Sequence, residues 1–576
     1  MFKTLATYHK YLTIRKKWFA LFILMIIAGV VIDFATPYFS KLFIEKIQSG
    51  NFDNVVNLLF VYLGVLILGN VFSNLKNFSG DVSAVDGALT LKSDVFRRIH
   101  DLDFAFHSNR STGSLISIFK RGENAFWDLS DKIYQRVFTV LVGFVILIWY
   151  FARLDVRIVG IFIGSSLITI LITRVLLPLN IRGRQRLNDK DDEISGIVTD
   201  NLINYETVKL FANEERELNR LKINLQEWKK IVWKYFLTYR YIDTSLGNLI
   251  NLSIFLVFLL SFNLVRSASI GLSDFVLIVS AVAMFFPQLF NLVYSVRNLS
   301  QGYVDIKKYV DILDLEPDVK DPENEVKLDS VSGKIVFNDV SYSYKEGRLR
   351  AVKNINLKIE PGESVALVGR SGVGKTTLVR LLMRFFDVDK GSITIDGIDV
   401  RNFSKSKLRS FMGVVPQEPI LFNNTIGYNI AYGASNASTQ EIKAAAKMAN
   451  LADFIETLSD KYDTHVGERG IKLSGGQKQR LAIARMILSN PDIVIFDEAT
   501  SQLDSESEKL IQDAFWKAVK NKTTIIIAHR LSTVMKANRI VVMEKGKIAE
   551  EGSHKELLLK KNSLYRHFWE LQITSN

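Results

Sequence analysis

The sequence predicts an all-α membrane domain of six spanning helices, followed by a soluble α/β domain. Two observations support this division of the 576 residues. Up to about residue 300 the chain carries six apolar stretches of roughly the 20 residues that a bilayer-spanning helix needs. Beyond residue 330 the apolar runs are short and strand-like, as in SVALVG and IVIF, and no stretch is long enough to cross a membrane.

The composition excludes several kinds of site. The chain has no cysteine, which rules out disulfide scaffolds, thiolate zinc sites, cysteine-ligated iron-sulfur clusters and cysteine nucleophiles. The formal net charge of +13 suits a nucleic-acid-binding protein, but a total does not show a patch. From residue 330 onwards about 36 basic and about 27 acidic side chains are spread without a basic run, and the basic N-terminal tail supplies the rest. We therefore expect no nucleic acid partner.

The apolar stretches follow a short basic segment. We expect residues 1–17 to form a cytoplasmic amphipathic segment at the membrane interface. Runs such as FALFILMIIAGVVI have no polar face, which favours membrane spans over buried helices of a soluble core. The first stretch is too long for a cleavable signal peptide and lacks its small-residue site. The predicted spans are residues 18–40, 55–75, 137–152, 156–178, 245–265 and 272–294.

Lys and Arg are unevenly distributed among the loops between the spans. The second and fourth loops, about 76–136 and 179–244, hold about nine and about twelve of them, whereas the other three loops are short and poor in both. Because basic loops stay on the cytoplasmic side, the N-terminus, both long loops and everything after the sixth span are predicted to be cytoplasmic. We expect a multi-pass protein, most simply of a bacterial inner membrane.

Both long loops mix charges of both signs at helical spacing. The spans are therefore predicted to continue as helices into the cytoplasm. The membrane domain then covers residues 18–310. The acidic, proline-containing segment 311–329 is a linker, and the soluble domain covers residues 330–576.

The soluble domain contains a phosphate-binding motif. Strand-like SVALVG leads into GRSGVGKTT and then into helical LVRLLMRFF, which is the context that G-x-x-x-x-G-K-[ST] requires. The motif residues predicted to bind ATP are Gly369, Ser371, Gly372, Val373, Gly374, Lys375, Thr376 and Thr377. Backbone N–H groups would wrap the phosphates, Lys375 would neutralise the terminal ones, and Thr376 would ligate Mg²⁺. The soluble half is thus predicted to be an α/β P-loop NTPase domain.

Two carboxylates end a second strand-like run. Asp497 and Glu498 follow Ile493-Val494-Ile495-Phe496, so they emerge at the carboxyl end of a strand, where parallel sheets place their ligands. Asp497 would hold Mg²⁺, and Glu498 would orient or deprotonate the attacking water. His529 follows the apolar run TTIIIA and is a candidate sensor of the terminal phosphate. We predict Glu498 and His529 as catalytic residues.

The set and order of these motifs resemble those of the ATP-binding cassette family over about residues 330–570. Tyr344 resembles the aromatic residue that stacks on adenine, and Gln417 the glutamine that reaches Mg²⁺. Leu473-Ser474-Gly475-Gly476-Gln477 is similar to the family signature, and the segment ending at Asp504 to the loop after the catalytic glutamate. The resemblance implies ATP-binding roles for Tyr344, Gln417, Ser474, Gly475, Gly476, Gln477 and Asp504, and a metal role for Gln417 beside Thr376 and Asp497.

The membrane half resembles the type I exporter branch of that family. FAFHSNRSTGSL and DNLINYETVKLFANEE look like the exporter intracellular loops, whose short coupling helices dock onto the ATPase domains. In this family ATP is sandwiched between the phosphate loop of one cassette and the signature of another. One chain carries one of each, so the resemblance implies a dimer that couples ATP hydrolysis to transport. We expect a homodimer, with a heterodimer as the alternative.

The cargo is less constrained. DNLINYETVKLFANEE resembles the same segment of the mitochondrial-type exporters of glutathione-derived compounds and heavy-metal conjugates. Those exporters carry two arginines four residues apart just upstream; here the second aligns with Arg184 and the first with Asn180. The main prediction is therefore a lipid, drug-like or other amphipathic cargo. A glutathione or metal conjugate is the alternative, and an ATP-gated channel shares the architecture.

Polar side chains inside the spans mark a candidate substrate pathway, because they are costly when they face lipid. Near span ends they can instead reach the headgroups or bond to another helix. The candidates are Asp33, Asn70, Arg174, Asn251, Gln288 and Asn291.

Overall fold

The computed structural model describes residues 2–50, 52–108, 112–344, 351–434, 436–497, 505–528 and 531–574. The chain divides into two compact units. A membrane unit comprises Met1–Leu102 and His107–Glu316, and a soluble unit comprises Asp103–Phe106 and Pro317–Asn576.

All the regular secondary structure described in the membrane unit is helical. The helices from residue 2 to residue 311 are α1 Phe2–Leu12, α2 Lys16–Gln48, α3 Phe52–Asp101, α4 Phe104–Ser108, α5 Thr112–Ser130, α6 Thr139–Leu154, α7 Val156–Ile203, α8 Tyr205–Leu210, α9 Glu214–Arg266 and α10 Leu272–Asp311. The first three residues of α4 belong to the soluble unit. A π-helical segment, Asp131–Phe138, joins α5 to α6, and a 3₁₀ turn, Ile312–Asp314, follows α10.

Six of these helical runs are long and apolar enough to cross a membrane, which confirms the six predicted spans. The predicted continuation of the helices beyond the spans is also present. Helix α3 is 50 residues long and α9 is 53 residues long, so each extends well beyond the apolar window that would lie in the bilayer. Helices α7 and α9 pack along each other, as do α2 and α3.

Helix α1 packs against protein. Tyr8 and Leu12 are each 1% exposed and belong to one apolar cluster with Leu91 of α3, Phe126 of α5 and Ile306 of α10. The expected amphipathic helix therefore forms, and its apolar side covers other helices of the membrane unit. The place of residues 1–17 at the membrane interface stays a prediction.

The soluble unit contains two sheets. Its strands are β1 Ile335–Tyr342, β2 Val352–Ile359, β3 Ser364–Val368, β4 Lys390–Ile395, β5 Ile398–Asp399, β6 Met412–Val415, β7 Ile493–Asp497, β8 Thr523–Ile527, β9 Arg539–Glu544 and β10 Lys547–Gly552. The six-stranded sheet has the order β10-β9-β3-β8-β7-β6, and the four-stranded antiparallel sheet has the order β2-β1-β4-β5.

Helices of the soluble unit pack on the larger sheet. They are α11 Lys375–Leu382, α12 Lys405–Ser410, α13 Ile426–Ala431, α14 Thr439–Met448, α15 Ala452–Glu456, α16 Gly475–Ser489, α17 Ser505–Ala518, α18 Leu531–Val534, α19 His554–Leu559 and α20 Leu564–Thr574. Strands β3, β7 and β8 are almost completely buried, and apolar clusters cover both faces of the sheet. The soluble half is therefore an α/β domain, as the buried apolar runs predicted.

Four residues between α3 and α5 belong to the soluble unit. The Asp103 carboxylate accepts hydrogen bonds from the backbone N–H groups of Asp318 and Val319. The Phe104 ring lies 5.3 Å from that of Phe385, and the Arg380 guanidinium lies 4.9 Å from its centroid. The sequence FAFHSNRSTGSL, which resembles an exporter intracellular loop, starts at Phe104 in this segment.

Candidate functional site

Three parallel strands bring the predicted chemistry to one edge of the large sheet. Strand β8 lies between β3 and β7 and pairs in parallel with both. The phosphate-binding motif follows β3, Asp497 ends β7, and the segment after β8 leads to His529. Since the carboxyl ends of parallel strands share an edge, the phosphate-binding motif and Asp497 lie at one site.

The glycines of the motif let the backbone follow a path that other residues resist. Gly369, Gly372 and Gly374 have φ angles of +151°, +78° and +110°. A Cβ atom on Gly374 would lie 2.6 Å from the carbonyl oxygen of Ala351, so this position also needs a small residue. A Cβ on Gly372 would meet no described atom within 4 Å, which leaves the loop open where a phosphate would lie.

Lys375 is held inside the loop that it completes. Its side chain is only 5% exposed, and Nζ donates to the carbonyl oxygens of Gly369 at 2.6 Å and Arg370 at 3.1 Å. Burial lowers the pKa of Lys375 from its ordinary value, and attraction to Asp497 opposes that shift. Both described hydrogen-bond acceptors of the ammonium group are neutral carbonyl oxygens, which a phosphate oxygen can replace.

Helix α11 begins directly at the loop. Its N-terminus points the free N–H groups and the positive end of the helix dipole towards the motif. The Thr376 side chain is exposed, as a metal ligand must be, whereas Thr377 is buried. The Thr377 hydroxyl lies 3.3 Å from that of Tyr344, so the aromatic residue predicted for adenine stands beside the loop.

Asp497 and Gln417 follow neighbouring parallel strands, β7 and β6. Gln417 is exposed, and its carbonyl oxygen accepts a hydrogen bond from Gln479 at 3.4 Å. Thr376 offers an exposed hydroxyl, Asp497 a carboxylate that attracts Lys375, and Gln417 an exposed amide. These are oxygen ligands of the kind that Mg²⁺ takes beside phosphates. The residues present therefore fit ATP with Mg²⁺. Glu498, Asp504 and His529 lie outside the described residues.

The signature segment caps a helix. Ser474 precedes α16, and its hydroxyl accepts from the N–H of Gln477 at 3.3 Å, while the Gln477 side chain accepts from the N–H of Ser474 at 2.8 Å. This capping box fixes Gly475 and Gly476 at the start of the helix. In the described part of the chain no hydrogen bond or ion pair joins residues 473–477 to residues 369–377. The two halves of an ATP sandwich are therefore present but not assembled within one chain.

A cavity that sequence reasoning missed lies beside the phosphate loop. It has a volume of about 530 Å³ and is lined by Arg370 and Ser371, by Lys545 of the turn after β9, and by His567 of α20. No motif marks it, because its walls come from segments that are almost 200 residues apart.

The predicted pathway residues differ in their surroundings. Asp33, Asn70, Arg174 and Asn251 are exposed on their helices, Gln288 is half-buried, and the Asn291 side chain lies outside the described residues. The Asn70 side chain bonds to Asn74 of its own helix at 3.1 Å. These residues are not brought together in one described site, so their role in transport stays a prediction.

A charged cavity of about 490 Å³ lies in the membrane unit, between α5, α7 and α10. It is lined by the guanidinium groups of Arg121 and Arg184 and by carboxylates that include Asp128 and Asp305. Arg121 pairs with Asp192 at 3.4 Å. Burial raises the pKa of Asp305, and the attraction of Arg121 opposes that shift. The cavity therefore offers both charge signs to a small polar molecule.

Asn180 does not take part in that cavity. It is fully buried, and its amide donates to the Thr238 hydroxyl of α9 at 2.8 Å. The position that aligns with the first arginine of the mitochondrial-type exporters therefore joins two helices instead of facing a cargo. Arg184 lines the cavity, and its Nε atom is buried without a hydrogen-bond partner among the described residues.

Two family models match the chain. The model described as "ABC transporter transmembrane region" matches residues 19–289, and the model described as "ABC transporter" matches residues 352–501. Together they cover most of the membrane unit and the part of the soluble unit that runs from β2 to residue 501.

Several known proteins are similar over most of the chain. Heavy metal tolerance factor 1 of Caenorhabditis elegans is 35% identical over 96% of this chain and 70% of its own length. The ATM1-type heavy metal exporter of Novosphingobium aromaticivorans is 34% identical over 96% of this chain and 91% of its own. ATP-binding cassette sub-family B member 6 of Mus musculus is 37% identical over 83% of this chain, which spans 57% of that protein.

A solved structure has the same fold. It is titled "Structure of a bacterial Atm1-family ABC exporter with ATP bound", and it superposes with a TM-score of 0.89 at 32% identity. The superposition covers 97% of this chain and 99% of that one.

Proposed function

The chain belongs to the ABC transporter family, and from that premise we propose that two copies of it form an exporter of metal conjugates of small thiol peptides. ATP-driven transport by an integral membrane protein with six spans and one ATPase domain follows from the family. The cargo, the homodimer and the roles of individual residues are the proposal. The observation that carries it is the charged cavity around Arg184, in a chain similar to two heavy-metal proteins.

The dimer is supported by the composite character of the ATP site. Each chain has one phosphate loop and one signature, and these are not joined within the described chain. Two identical chains would supply two complete sites, since each would bring a phosphate loop to the other's signature. The exposed Tyr205, Leu210 and Phe211 around α8 also favour a partner, because large apolar side chains at 65–76% exposure are costly in water.

At each ATP site the chain's own residues would bind and orient the nucleotide. Lys375 and the loop N–H groups neutralise the phosphates, and Tyr344 stacks on the base. Thr376, Gln417 and Asp497 would hold Mg²⁺, which supplies charge neutralisation at the phosphates when it is bound. Glu498 orients or deprotonates the attacking water, and His529 contacts the terminal phosphate.

ATP would drive transport because it binds the state with closed cassettes more tightly than the open state. ATP shifts the equilibrium towards closed cassettes only through contacts that are better there, and the shared sandwich supplies such contacts. The helices α3, α7, α9 and α10 continue from the membrane into the cytoplasm without a break in the chain. These helices would transmit the closure of the ATPase domains to the spans, which would then open towards the other side of the membrane.

The charged side chains of the cavity indicate the class of cargo. A peptide thiol of the glutathione type carries carboxylates and an ammonium group, and the cavity offers Arg121 and Arg184 to the former and Asp128 and Asp305 to the latter. The lipid or drug-like cargo that we expected first fits this polar cavity less well. The metal-conjugate alternative is therefore preferred.

The ATPase part of the proposal is tested with Glu498→Gln. The purified variant in liposomes should bind ATP and stay in a closed dimer, with turnover reduced about 100-fold or more because the water is no longer activated. Asp453→Asn, at an exposed position of α15, serves as the control and should hydrolyse ATP at the normal rate. Normal turnover in Glu498→Gln would remove Glu498 from the mechanism.

The cargo part is tested by uptake of Cd²⁺ with glutathione into inside-out vesicles. Arg184→Gln should lower ATP-dependent uptake about tenfold, since it removes a charged hydrogen-bond donor from the cavity. The exposed Arg186, two residues along the same helix, gives the matched control Arg186→Gln, which should transport normally. Stimulation of the ATPase by lipids or hydrophobic drugs, with no uptake of Cd²⁺, would restore the amphipathic cargo instead.

A further inference from the structure

Two aromatic rings pack against Tyr344, the residue predicted to stack on adenine. The Tyr344 ring lies 5.2 Å from that of Tyr342 and 5.5 Å from that of Phe386, at interplanar angles of 82° and 86°. Rings at such angles meet edge to face, which is a favourable arrangement of aromatic side chains. Neither of these two rings is parallel to Tyr344, so neither takes the stacked position that a base would need.

The hydroxyl end of Tyr344 has a separate contact. Its oxygen lies 3.3 Å from the hydroxyl of Thr377, which is 7% exposed in the first turn of α11. This hydrogen bond holds the tip of the ring against the phosphate-binding motif. A contact at the tip does not set the plane of the ring, because rotation of a tyrosine ring about its long axis is only loosely restricted. The plane must therefore be set by the rings beside it.

Phe386 is the side chain that connects these rings to the rest of the soluble unit. Besides Tyr344, its ring lies 5.4 Å from that of Tyr342 and 6.0 Å from that of Phe104. The end of β1, the turn after α11 and the segment Asp103–Phe106 therefore meet at one side chain, all within the soluble unit.

The turn that carries Phe386 is firmly held by Arg384. This residue follows the end of α11, has a left-handed φ of +53° and is 4% exposed. Its guanidinium donates to the carbonyl oxygens of Phe403 at 3.1 Å and Lys320 at 2.8 Å, and to the Asp387 carboxylate at 3.0 Å. Breaking these bonds would leave a buried charge without partners, which is costly. Phe386 therefore has a fixed support.

Phe104, the third ring beside Phe386, is anchored independently. The Arg380 guanidinium lies 4.9 Å from the centroid of its ring, a distance at which a cation attracts an aromatic face. The preceding Asp103 accepts a hydrogen bond from the Val319 N–H at 3.2 Å. Phe104 is 36% exposed, so its ring can be replaced without opening the core.

We propose that Phe386 is a positioning residue for ATP, which sets the plane of Tyr344 against the base, and that Phe104 supports Phe386 in this role. The inference rests on the proposed function, in which Tyr344 stacks on the base. The effect concerns the base alone, since Lys375 and the loop N–H groups bind the phosphates. A side chain from the segment between α3 and α5 thereby contributes to nucleotide affinity through Phe386.

The kinetics of ATP hydrolysis by the full-length protein in liposomes test this role. Phe386→Leu keeps an apolar side chain but removes the ring, so the KM for ATP should rise about tenfold while kcat changes less than twofold. Phe386→Tyr keeps the ring and should have the ordinary KM. Phe385→Leu, from the same turn, is the matched control and should change KM less than twofold, because Phe385 makes no ring contact with Tyr344 in the described part of the chain.

The exposed Phe104 gives a second variant that leaves the core intact. Phe104→Leu should raise the KM for ATP about threefold, since the ring of Phe386 then loses one of its supports. An unchanged KM in this variant would overturn the part of the inference that concerns Phe104.

A competitor without a base separates positioning from general damage. Inorganic triphosphate should inhibit the ATPase with the same inhibition constant in Phe386→Leu as in the unmodified protein, because it uses only the phosphate-binding groups. An inhibition constant that rises as much as the KM for ATP would mean that the substitution disturbs the phosphate loop, and would overturn the inference.

A double variant shows whether Phe386 acts through Tyr344. Adding Phe386→Leu to Tyr344→Leu should raise the KM for ATP no further, because the ring to be positioned is already gone. A further tenfold rise would overturn the inference, as would an ordinary KM in Phe386→Leu beside a raised KM in Tyr344→Leu. An ordinary KM in Tyr344→Leu would instead contradict the proposed function, since Tyr344 would then not stack on the base.

Discussion

At the scale of single residues, burial decides which polar groups are available for chemistry. Lys375 is buried but anchored only by two carbonyl oxygens, so it keeps its charge for an incoming phosphate. Asn180 is buried with a hydroxyl partner on another helix and is not available to a cargo. The motif identified Lys375 from sequence alone, whereas the role of Asn180 needed the neighbouring helix α9.

The lowered pKa of Lys375 predicts proton uptake when ATP binds at alkaline pH. Without ATP, Lys375 loses its proton at a lower pH than an ordinary lysine, and bound phosphates raise its pKa again. Isothermal titration calorimetry in buffers of different ionisation enthalpy should give a proton uptake on ATP binding that grows as the pH is raised. Lys358→Met, on the exposed side of β2, should leave it unchanged. A binding enthalpy at pH 9 that is independent of the buffer would contradict the prediction.

At the scale of elements, the helix ends explain why the signature has its sequence. Ser474 and Gln477 satisfy each other's backbone donors, and the same arrangement occurs at Ser438 and Glu441 of α14. The pattern S-x-x-[EQ] was present in the sequence and would have predicted both caps. The π-helical segment between α5 and α6 had no such signal, because the run reads as an ordinary helix.

Variants that remove each cap in turn distinguish an effect on stability from an effect on catalysis. Ser438→Ala and Ser474→Ala should both lower the free energy of unfolding by about 1 kcal/mol, since each leaves helix N–H groups without an acceptor. Only Ser474→Ala should also lower ATPase activity, because Ser474 belongs to the signature. Thermal unfolding and ATP turnover of the two variants give the comparison. Equal ATPase activities would show that the Ser474 side chain does no more than cap α16.

A glycine on α5 makes a second test at this scale. A Cβ atom on Gly122 would overlap the side chain of Tyr309 on α10, which is 1% exposed. Gly122→Ala should therefore destabilise the membrane unit by about 1–3 kcal/mol. Gly196→Ala on α7, where a Cβ would meet no described atom within 4 Å, should be neutral or stabilising by up to about 1 kcal/mol. A gain in stability for Gly122→Ala, measured as thermal unfolding in detergent, would contradict the packing.

At the scale of the whole molecule, sequence reasoning succeeded where one segment determines the outcome. Apolar length predicted the six spans, charge patterning predicted that the helices continue beyond them, and the phosphate loop predicted the edge of the sheet where Asp497 lies. Sequence reasoning failed where distant segments meet. Arg121, Arg184 and Asp305 share a cavity, although nothing in their local sequence indicates these neighbours.

The exposed apolar residues around α8 predict a coupling defect. Phe211 is 72% exposed, and its segment resembles a coupling loop that docks onto an ATPase domain. Phe211→Ser should therefore lower ATP-dependent uptake about tenfold while ATP hydrolysis continues, because the contact that transmits closure is weakened. Val156→Ser, at a 74% exposed site at the outer end of α7, is the control and should transport normally. Parallel loss of uptake and hydrolysis in Phe211→Ser would point to misfolding instead.

The lengths of α3 and α9 have a mechanical consequence. Their 50 and 53 residues make continuous rods of about 75–80 Å, and neither contains a proline. A rod pivoting near its centre moves both ends by similar distances in opposite directions, so a tilt of about 10° displaces each tip by roughly 6–7 Å. Because the helices are stiff, a small change of tilt at one end moves the other end and opens a gap there.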